Sequence, residues 1–300
     1  MNTIAQLRQK LQHGVSPAMA TPLKEDGYTV DTAAIPPLVN FLVERGIKGL
    51  FVGGTTGEGV LLNAKQRKIL HEVTLEAVAG RVPVLLHTAA NQLAEAENLT
   101  HHAASLGADG LVAMTPYFLG MSEEALFQYF VHLASLAPHI PFFAYDIPQL
   151  AVNGVSPKLL GRLCAAIPNL AGLKCSRDDM QLIRQLLDAL PADKFLLAGN
   201  ERIALGSIAL GADGMISGLS TAVPEPFVAC LNAFYAGDYQ TALDWQKRIN
   251  RGLDHMPADR IGAIKRILAE RGIPVGNPMP PRGRVETAVW PAVEEILINN

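Results

Sequence analysis

The chain has 300 residues, of which 49% are hydrophobic, and 25 Lys and Arg stand against 28 Asp and Glu for a formal net charge of −3. This length suits an α/β barrel with added helices, and the charge leaves no basic face for DNA or RNA. The first residues lack the apolar core of a signal peptide. The sequence contains no stretch of about 18 consecutive apolar residues, so we predict no membrane span.

The three cysteines, Cys164, Cys175 and Cys230, are odd in number and far apart, and none forms a CxxC pair. This spacing argues against a disulfide framework or a zinc site and predicts a reduced, cytoplasmic location. The adjacent His101 and His102 lie within a helical pattern, so their side chains diverge and do not suit one metal ion. We therefore predict no metal site.

Short apolar runs recur along the first 220 residues and are typical of buried parallel strands. They are PAMATP (17–22), GLFV (49–52), PVLLH (83–87), GLVAM (110–114), PFFAY (141–145), AGLK (171–174), FLLAG (195–199) and GMIS (214–217). Segments with helical spacing lie between them, at 64–79, 93–106, 123–136, 157–166 and 179–190. About eight such units predict an α/β fold of the (β/α)₈ TIM-barrel type, with an open doubly wound sheet as the alternative.

The pentapeptide LGADG occurs twice, at 106–110 and 210–214, and each copy precedes an apolar run. Glycine ends a helix in the left-handed conformation, and a short turn then enters the next strand. We therefore interpret Asp109 and Asp213 as structural residues of αβ turns.

After Ser217 the pattern predicts helices alone, at 225–236, 239–253 and 258–270. A connector rich in Pro and Gly (272–284) precedes a last helix at 286–297. We predict a barrel over residues 1–222 and C-terminal helices over 223–300 that pack on it as one structural unit.

The second apolar run enters the loop Gly53–Gly59, whose sequence is GGTTGEG. Glycines permit tight turns that expose backbone N–H groups, and two threonine hydroxyls add further donors. Such a loop suits a carboxylate or a phosphate, and the alternative is a plain turn. It is not a P-loop, because no GK[ST] follows.

Two further strand ends carry reactive side chain types. Tyr145 can be a core residue with its hydroxyl at the surface, or a proton shuttle beside a reacting group. Lys174 follows an apolar strand, where loss of water favours the neutral, nucleophilic amine that forms imines with ketones. The alternative for Lys174 is a salt bridge to a nearby carboxylate.

These motifs, taken together, resemble the dihydrodipicolinate synthase / N-acetylneuraminate lyase family. The resemblance rests on GTTGE (54–58), TPY (115–117), YDIP (145–148) and GLK (172–174), in matching order across about residues 15–220. It implies a (β/α)₈ Schiff-base lyase acting on pyruvate or a related 2-oxo acid, commonly a homotetramer built as a dimer of dimers. No cofactor is implied beyond the covalent imine.

The resemblance also implies roles for individual residues. Lys174 would form the imine, Tyr145 would relay protons, and Thr55 would act with them at the catalytic centre. The residues expected to bind or line the substrate site are Thr55, Thr56, Gly57, Tyr117, Gly199 and Ile216.

The sequence departs from the best-known family pattern at four positions. Phe118 stands where the synthases usually have a second tyrosine that reaches into the neighbouring subunit's site, and Leu150 where they have an arginine that holds the aldehyde's carboxylate. Asp146 replaces the usual asparagine, and Val152 replaces a common glycine. Loss of an arginine clamp favours an aldolase of 2-oxo sugar acids or hydroxy acids over the lysine-biosynthetic synthase.

Three alternatives stay open at this point. The first is a true dihydrodipicolinate synthase (4-hydroxy-tetrahydrodipicolinate synthase). The second is a non-catalytic pyruvate-binding barrel. The third is a phosphate-binding barrel isomerase, for which the stretch 216–220 (ISGLS) is the candidate second loop.

Overall fold

The computed structural model describes residues 3–299 and contains eight β-strands there. They are β1 Val15–Pro17, β2 Leu50–Val52, β3 Val84–His87, β4 Gly110–Met114, β5 Phe142–Asp146, β6 Leu170–Cys175, β7 Phe195–Ala198 and β8 Gly214–Ser217. Every strand residue is buried, which explains why the sequence shows continuous apolar runs rather than alternation.

The eight strands form one sheet in the order β1-β8-β7-β6-β5-β4-β3-β2. Ala18, just after β1, makes a parallel bridge to Phe51 of β2, so the two ends of this order also meet. The result is a nearly closed barrel of parallel strands, and the predicted (β/α)₈ TIM barrel with a C-terminal helical extension is confirmed.

Thirteen α-helices lie within residues 3–299. They are α1 Ile4–Leu11, α2 Ile35–Val43, α3 Ala64–Val78, α4 Leu93–Ser105, α5 Glu123–Ser135, α6 Pro148–Ala151, α7 Pro157–Ala166, α8 Met180–Ala189, α9 Ala204–Ala209, α10 Glu225–Tyr235, α11 Tyr239–Asp254, α12 Arg260–Glu270 and α13 Trp290–Glu294. A π-helical turn, Glu295–Asn299, follows α13. None of these described helices is both long and apolar enough to cross a membrane.

Side-chain caps explain several helix starts. The side chains of Asn63, Ser122, Ser156 and Asp179 each accept a backbone N–H three residues further on, at the starts of α3, α5, α7 and α8. Such caps satisfy one of the donors that a first helical turn leaves open. The sequence prediction placed these four helix starts within one residue.

The predicted bounds of three elements are wrong. The first strand is Val15–Pro17 rather than 17–22. The N–H groups of Ala18 and Met19 still bond Ser217 and Phe51 of the neighbouring strands, but the N–H of Ala20 bonds the Thr221 hydroxyl, so regular pairing does not continue to 22. The third tail helix begins at Arg260 rather than 258, after a cap from the side chain of Asp259.

The last helix begins at Trp290 rather than at 286. It begins there because the carboxylate of Glu270 accepts the N–H groups of Val289 and Trp290. The helix α2 escaped prediction, because its sequence IPPLVNFLV holds two prolines. They lie in the first turn, where a backbone N–H is not needed.

The described chain divides into two compact units. The first unit contains residues 3–12 and 83–216, with β3 to β7 and most of β8. In it, the carboxylate of Asp109 accepts the N–H of Val84 at 2.9 Å, and that of Asp213 accepts the N–H of Leu196 at 3.0 Å. Each repeated aspartate thus ties the turn before one strand to the start of the neighbouring strand, which confirms their structural interpretation.

The second unit contains residues 13–82 and 217–299, with β1, β2 and the C-terminal helices. Helix α10 packs on α11 and on β1. Burial opposes ionisation of Glu225, but hydrogen bonds from Arg271 and Arg45 hold the pKa of its carboxyl below the usual value. The barrel boundary predicted at residue 222 stays a prediction.

Candidate active site

Tyr145 and Lys174 are direct neighbours across two parallel strands. Tyr145, near the end of β5, pairs in register with Lys174, near the end of β6. The register shifts between Phe142 and Phe143, so one extra β6 residue is accommodated before Gly172. A β-bulge of this kind redirects the side chains that follow it. The bulge therefore sets which face of β6 carries the lysine.

Gly172 has no room for a side chain. A Cβ atom at this position would collide with the carbonyl oxygen of Phe195 in β7. The close backbone approach explains the glycine two positions before Lys174, in the stretch AGLKCS.

The Lys174 side chain lies in a dry environment. The residue is 4% exposed, and its Nζ atom lies 3.7 Å from the centroid of the Tyr145 ring. Desolvation by burial holds the pKa of Lys174 well below the ordinary 10.5, while the charge of Glu201 acts in the opposite direction. Burial thus makes the neutral amine accessible, which is the form that attacks a carbonyl carbon.

Two residues near this pair had no role in the sequence analysis. Glu201 is buried in the turn that follows β7 and is the carboxylate that acts on the charge of Lys174. His87, at the end of β3, meets the Tyr145 ring edge-on, with 6.3 Å between ring centroids. Their only sequence signal is a polar residue at or just after the end of a strand.

Asp146 is held by an arginine. Its fully buried carboxylate accepts Nε of Arg177 at 2.6 Å and Nη2 at 3.2 Å, and it also accepts the N–H of Val155 at 2.9 Å. The aspartate that replaces the family's asparagine is therefore part of a two-point ion pair. Asp146 ends β5, one residue beyond Tyr145, and the ion pair joins it to the loop after β6.

The loops after β4 and β5 are joined by the side chain of Asn153. Its amide donates to the carbonyl oxygens of Pro116 and Leu119 at 2.7 and 2.8 Å, and its Oδ1 accepts the N–H of Met121. The apolar side chains that these loops expose are Phe118, Leu119, Met121, Leu150 and Val152. The surface formed by these side chains is therefore apolar.

Three other predicted site residues lie in the first unit. Tyr117 is half-buried and donates its backbone N–H to Asn91. Gly199 donates its N–H to the carbonyl oxygen of Cys175, immediately after Lys174. Ile216 is buried in β8. The structure thus brings Gly199 to the end of the lysine strand.

The hydroxyl loop Gly53–Gly59 lies in the second unit and contains Thr55, Thr56 and Gly57. Both threonines are half-buried. A Cβ at Gly57 would press on the carbonyl oxygen of Met19, and one at Gly59 would collide with that of Gly53. The glycines are therefore explained by close backbone approach within a folded turn.

Glu58 of the same loop forms a buried ion pair with Lys265 of α12. Its Oε2 lies 2.7 Å from the Nζ of Lys265, with side chains 0% and 1% exposed, and its Oε1 accepts the N–H of Met279 at 2.7 Å. Desolvation lowers the pKa of Lys265, and the charge of Glu58 opposes that change. Neither Glu58 nor Lys265 is among the predicted site residues.

Comparison with known proteins identifies the family. The model described as the Dihydrodipicolinate synthetase family matches residues 11–299. A 4-hydroxy-tetrahydrodipicolinate synthase of Thermus thermophilus is 36% identical over 229 residues, 76% of this chain and 76% of that protein. One of Exiguobacterium sp. is 32% identical over 269 residues, 89% of this chain and 91% of that protein.

Solved structures agree. A sialic acid aldolase of Ruminococcus gnavus is 26% identical with a TM-score of 0.92, covering 97% of this chain and 98% of that one. It has also been solved as a mutant of its catalytic lysine. A dihydrodipicolinate synthase of Aquifex aeolicus is 26% identical with a TM-score of 0.88, covering 96% and 97%. The resemblance that the motifs predicted is confirmed, and the chain belongs to the dihydrodipicolinate synthetase family.

Proposed function

We propose that this chain is a Schiff-base aldolase that cleaves or forms a carbon–carbon bond of a 2-oxo acid, with pyruvate as the ketone partner. Its family makes it a lyase of the class I aldolase type. The observation that carries the finer proposal is the buried Lys174, whose pKa is lowered and whose Nζ contacts the Tyr145 ring.

The chemistry follows from a neutral amine at this position. Lys174 Nζ attacks the keto carbon, the keto oxygen leaves as water after taking one proton from the amine and one from solvent, and a protonated imine forms. In the cleavage direction the bond between C3 and C4 breaks, its electrons enter the enamine, and the C4 hydroxyl loses its proton to give an aldehyde. Protonation of C3 and hydrolysis of the imine then release pyruvate and restore the amine.

Tyr145 and the threonines complete the proposal. The Tyr145 hydroxyl relays protons to and from the bound intermediate. Thr55 and Thr56 hold the substrate carboxylate through hydroxyl and backbone N–H groups, with Gly57, Tyr117, Gly199 and Ile216 as further binding residues. We propose no cofactor beyond the lysine imine, a homotetramer or homodimer, and a cytoplasmic location, to which the three free cysteines lend support.

The preferred substrate is a 2-oxo sugar acid or hydroxy acid. Leu150 offers no positive charge for a second carboxylate, and it is 60% exposed on an apolar surface beside Val152. The resemblance to a sialic acid aldolase, by TM-score, supports the same choice.

A second candidate is 4-hydroxy-tetrahydrodipicolinate synthase. The observation that favours it is the name carried by the relatives that are 36% and 32% identical to this chain. This reaction joins pyruvate to aspartate semialdehyde, whose carboxylate would need a cation other than residue 150.

Borohydride reduction in the presence of pyruvate tests the imine. We expect the mass of the reduced adduct on the peptide containing Lys174, and no adduct in Lys174→Ala. An unmodified peptide from folded wild-type protein contradicts the proposal. Pyruvate binding that persists unweakened in Lys174→Ala instead supports a non-catalytic binding barrel.

A panel of 2-oxo acids, scored for pyruvate release, then separates the two enzymes. The aldolase proposal expects turnover of at least one sugar acid or hydroxy acid and little condensation with aspartate semialdehyde. Brisk condensation would assign the synthase activity instead.

A further inference from the structure

The ion pair between Glu58 and Lys265 is difficult to explain by stability alone. Both side chains are removed from water, and desolvation of two charges offsets most of the attraction between them. Apolar residues of similar size often stabilise such a position equally well. A role in fixing one arrangement of the backbone is the best-supported reason to retain buried charges.

The pair acts on the loop that carries the two threonines. Glu58 lies two residues after Thr56, adopts a positive φ of 54°, and donates its backbone N–H to the carbonyl oxygen of Thr55 at 3.0 Å. A positive φ is unfavourable for a residue with a side chain, so contacts elsewhere must hold it. The ion pair with Lys265 is such a contact.

The C-terminal segment contacts both oxygens of the Glu58 carboxylate. Lys265 of α12 binds one oxygen, and the backbone N–H of Met279 binds the other. Lys265 also donates to the carbonyl oxygen of Asn277 at 3.0 Å, so α12 and the connector are joined at this point. The hydroxyl of Thr21 holds the loop from another side, through the carbonyl oxygen of Gly57.

We infer that Lys265 and Glu58 are positioning residues, through which the C-terminal helices hold Thr55 and Thr56 in the geometry that binds the substrate carboxylate. This inference rests on the proposed function for its effect on substrate. It adds that the helical extension takes part in recognition of the 2-oxo acid without touching it.

Four variants separate positioning from stability. Lys265→Met leaves the Glu58 charge buried without its cation, and Lys265→Arg keeps the positive charge. The double variant Glu58→Gln with Lys265→Met removes both charges while an amide oxygen remains for Met279. The matched control is Lys247→Met, which breaks the exposed pair of Lys247 and Asp244 in the same unit.

We expect the double variant to melt near the wild-type temperature. Its KM for pyruvate should still rise about tenfold with kcat little changed, because a loosened carboxylate-binding loop weakens binding of the substrate and of the transition state alike. In the double variant, backbone hydrogen exchange in residues 53–59 should become faster. Lys265→Arg keeps the positive charge, so its KM should lie closer to the wild-type value than the KM of Lys265→Met. Lys247→Met should change neither KM nor exchange.

Loop exchange and KM at wild-type values in the double variant would overturn the inference, even if the wild type forms the pyruvate adduct. The two ideas can also fail separately. Faster loop exchange in the double variant, combined with no adduct in the wild type, supports positioning and contradicts the proposed function.

Discussion

Removal of the Arg177 cation should destabilise the protein strongly, because it leaves the carboxylate of Asp146 buried and unmatched. The Asp146 side chain is 0% exposed and Arg177 is 22% exposed, so one partner retains some contact with water. Loss of one member of a buried pair costs about 3–5 kcal/mol, and the partial exposure of Arg177 places Arg177→Met near the lower end, at about 3 kcal/mol.

This loss can be converted to a melting temperature. Unfolding entropy is about 2 cal/mol/K per residue, so about 3 kcal/mol corresponds to a decrease of about 5 °C in Tm for a chain of this length. Differential scanning calorimetry measures it directly. The double variant Asp146→Asn with Arg177→Met removes both charges and should return to within about 1 kcal/mol of wild type.

The exposed pair of Lys158 and Glu123 provides the control. Lys158 is 81% exposed, so Lys158→Met should change the free energy of unfolding by less than about 0.5 kcal/mol. An Arg177→Met variant as stable as this control would contradict the expected cost of an unmatched Asp146, and so would a double variant as unstable as Arg177→Met.

Three further predictions concern Lys174. Because burial lowers the pKa of Lys174, imine trapping should reach half its maximum well below pH 10.5. The charge of Glu201 acts in the opposite direction, so Glu201→Gln should move that midpoint lower still. A higher midpoint in Glu201→Gln contradicts the assigned effect of Glu201. A lysine whose pKa is lowered in the folded state destabilises the native protein most at low pH, and this penalty disappears as pH rises to 10.5. Lys174→Met should therefore stabilise the protein at pH 7 and lose this advantage by pH 10, as measured by urea titrations. A gain independent of pH would show that packing, not ionisation, is responsible. Gly172→Ala should lower the free energy of unfolding by about 1–3 kcal/mol and reduce borohydride trapping, because its Cβ displaces the Phe195 backbone. Full trapping by a stable Gly172→Ala variant would disprove this.

The barrel could be predicted because each strand is buried on both faces. Apolar runs such as GLVAM at 110–114 therefore appear without alternation, and caps such as Asn63 and Asp179 mark the helix starts. The candidate amine was predictable for the same reason, since Lys174 ends an otherwise apolar run. The local signals were sufficient wherever one segment of sequence determines one element.

The polar partners could not be predicted, because each pair joins residues that are distant in sequence. Glu58 and Lys265 come from a loop and a C-terminal helix, and nothing in either segment identifies the other. Asp146 was recognised as a replacement for asparagine, but its arginine follows a different strand. The start of α13 escaped for the same reason, because Glu270 of another helix caps it.

The hydrogen bonds of Asn153 determine the backbone shape of one surface, whereas other side chains determine its apolar character. One buried amide fixes the backbone of residues 116–121, while Phe118 and Leu119 point outward with 82% and 70% of their surface exposed. Exchange of these outward side chains leaves the hydrogen bonds intact. The loop is therefore a fixed frame on which the side chains at 118 and 119 can be varied without a change of backbone, provided that residue 153 itself is left unchanged.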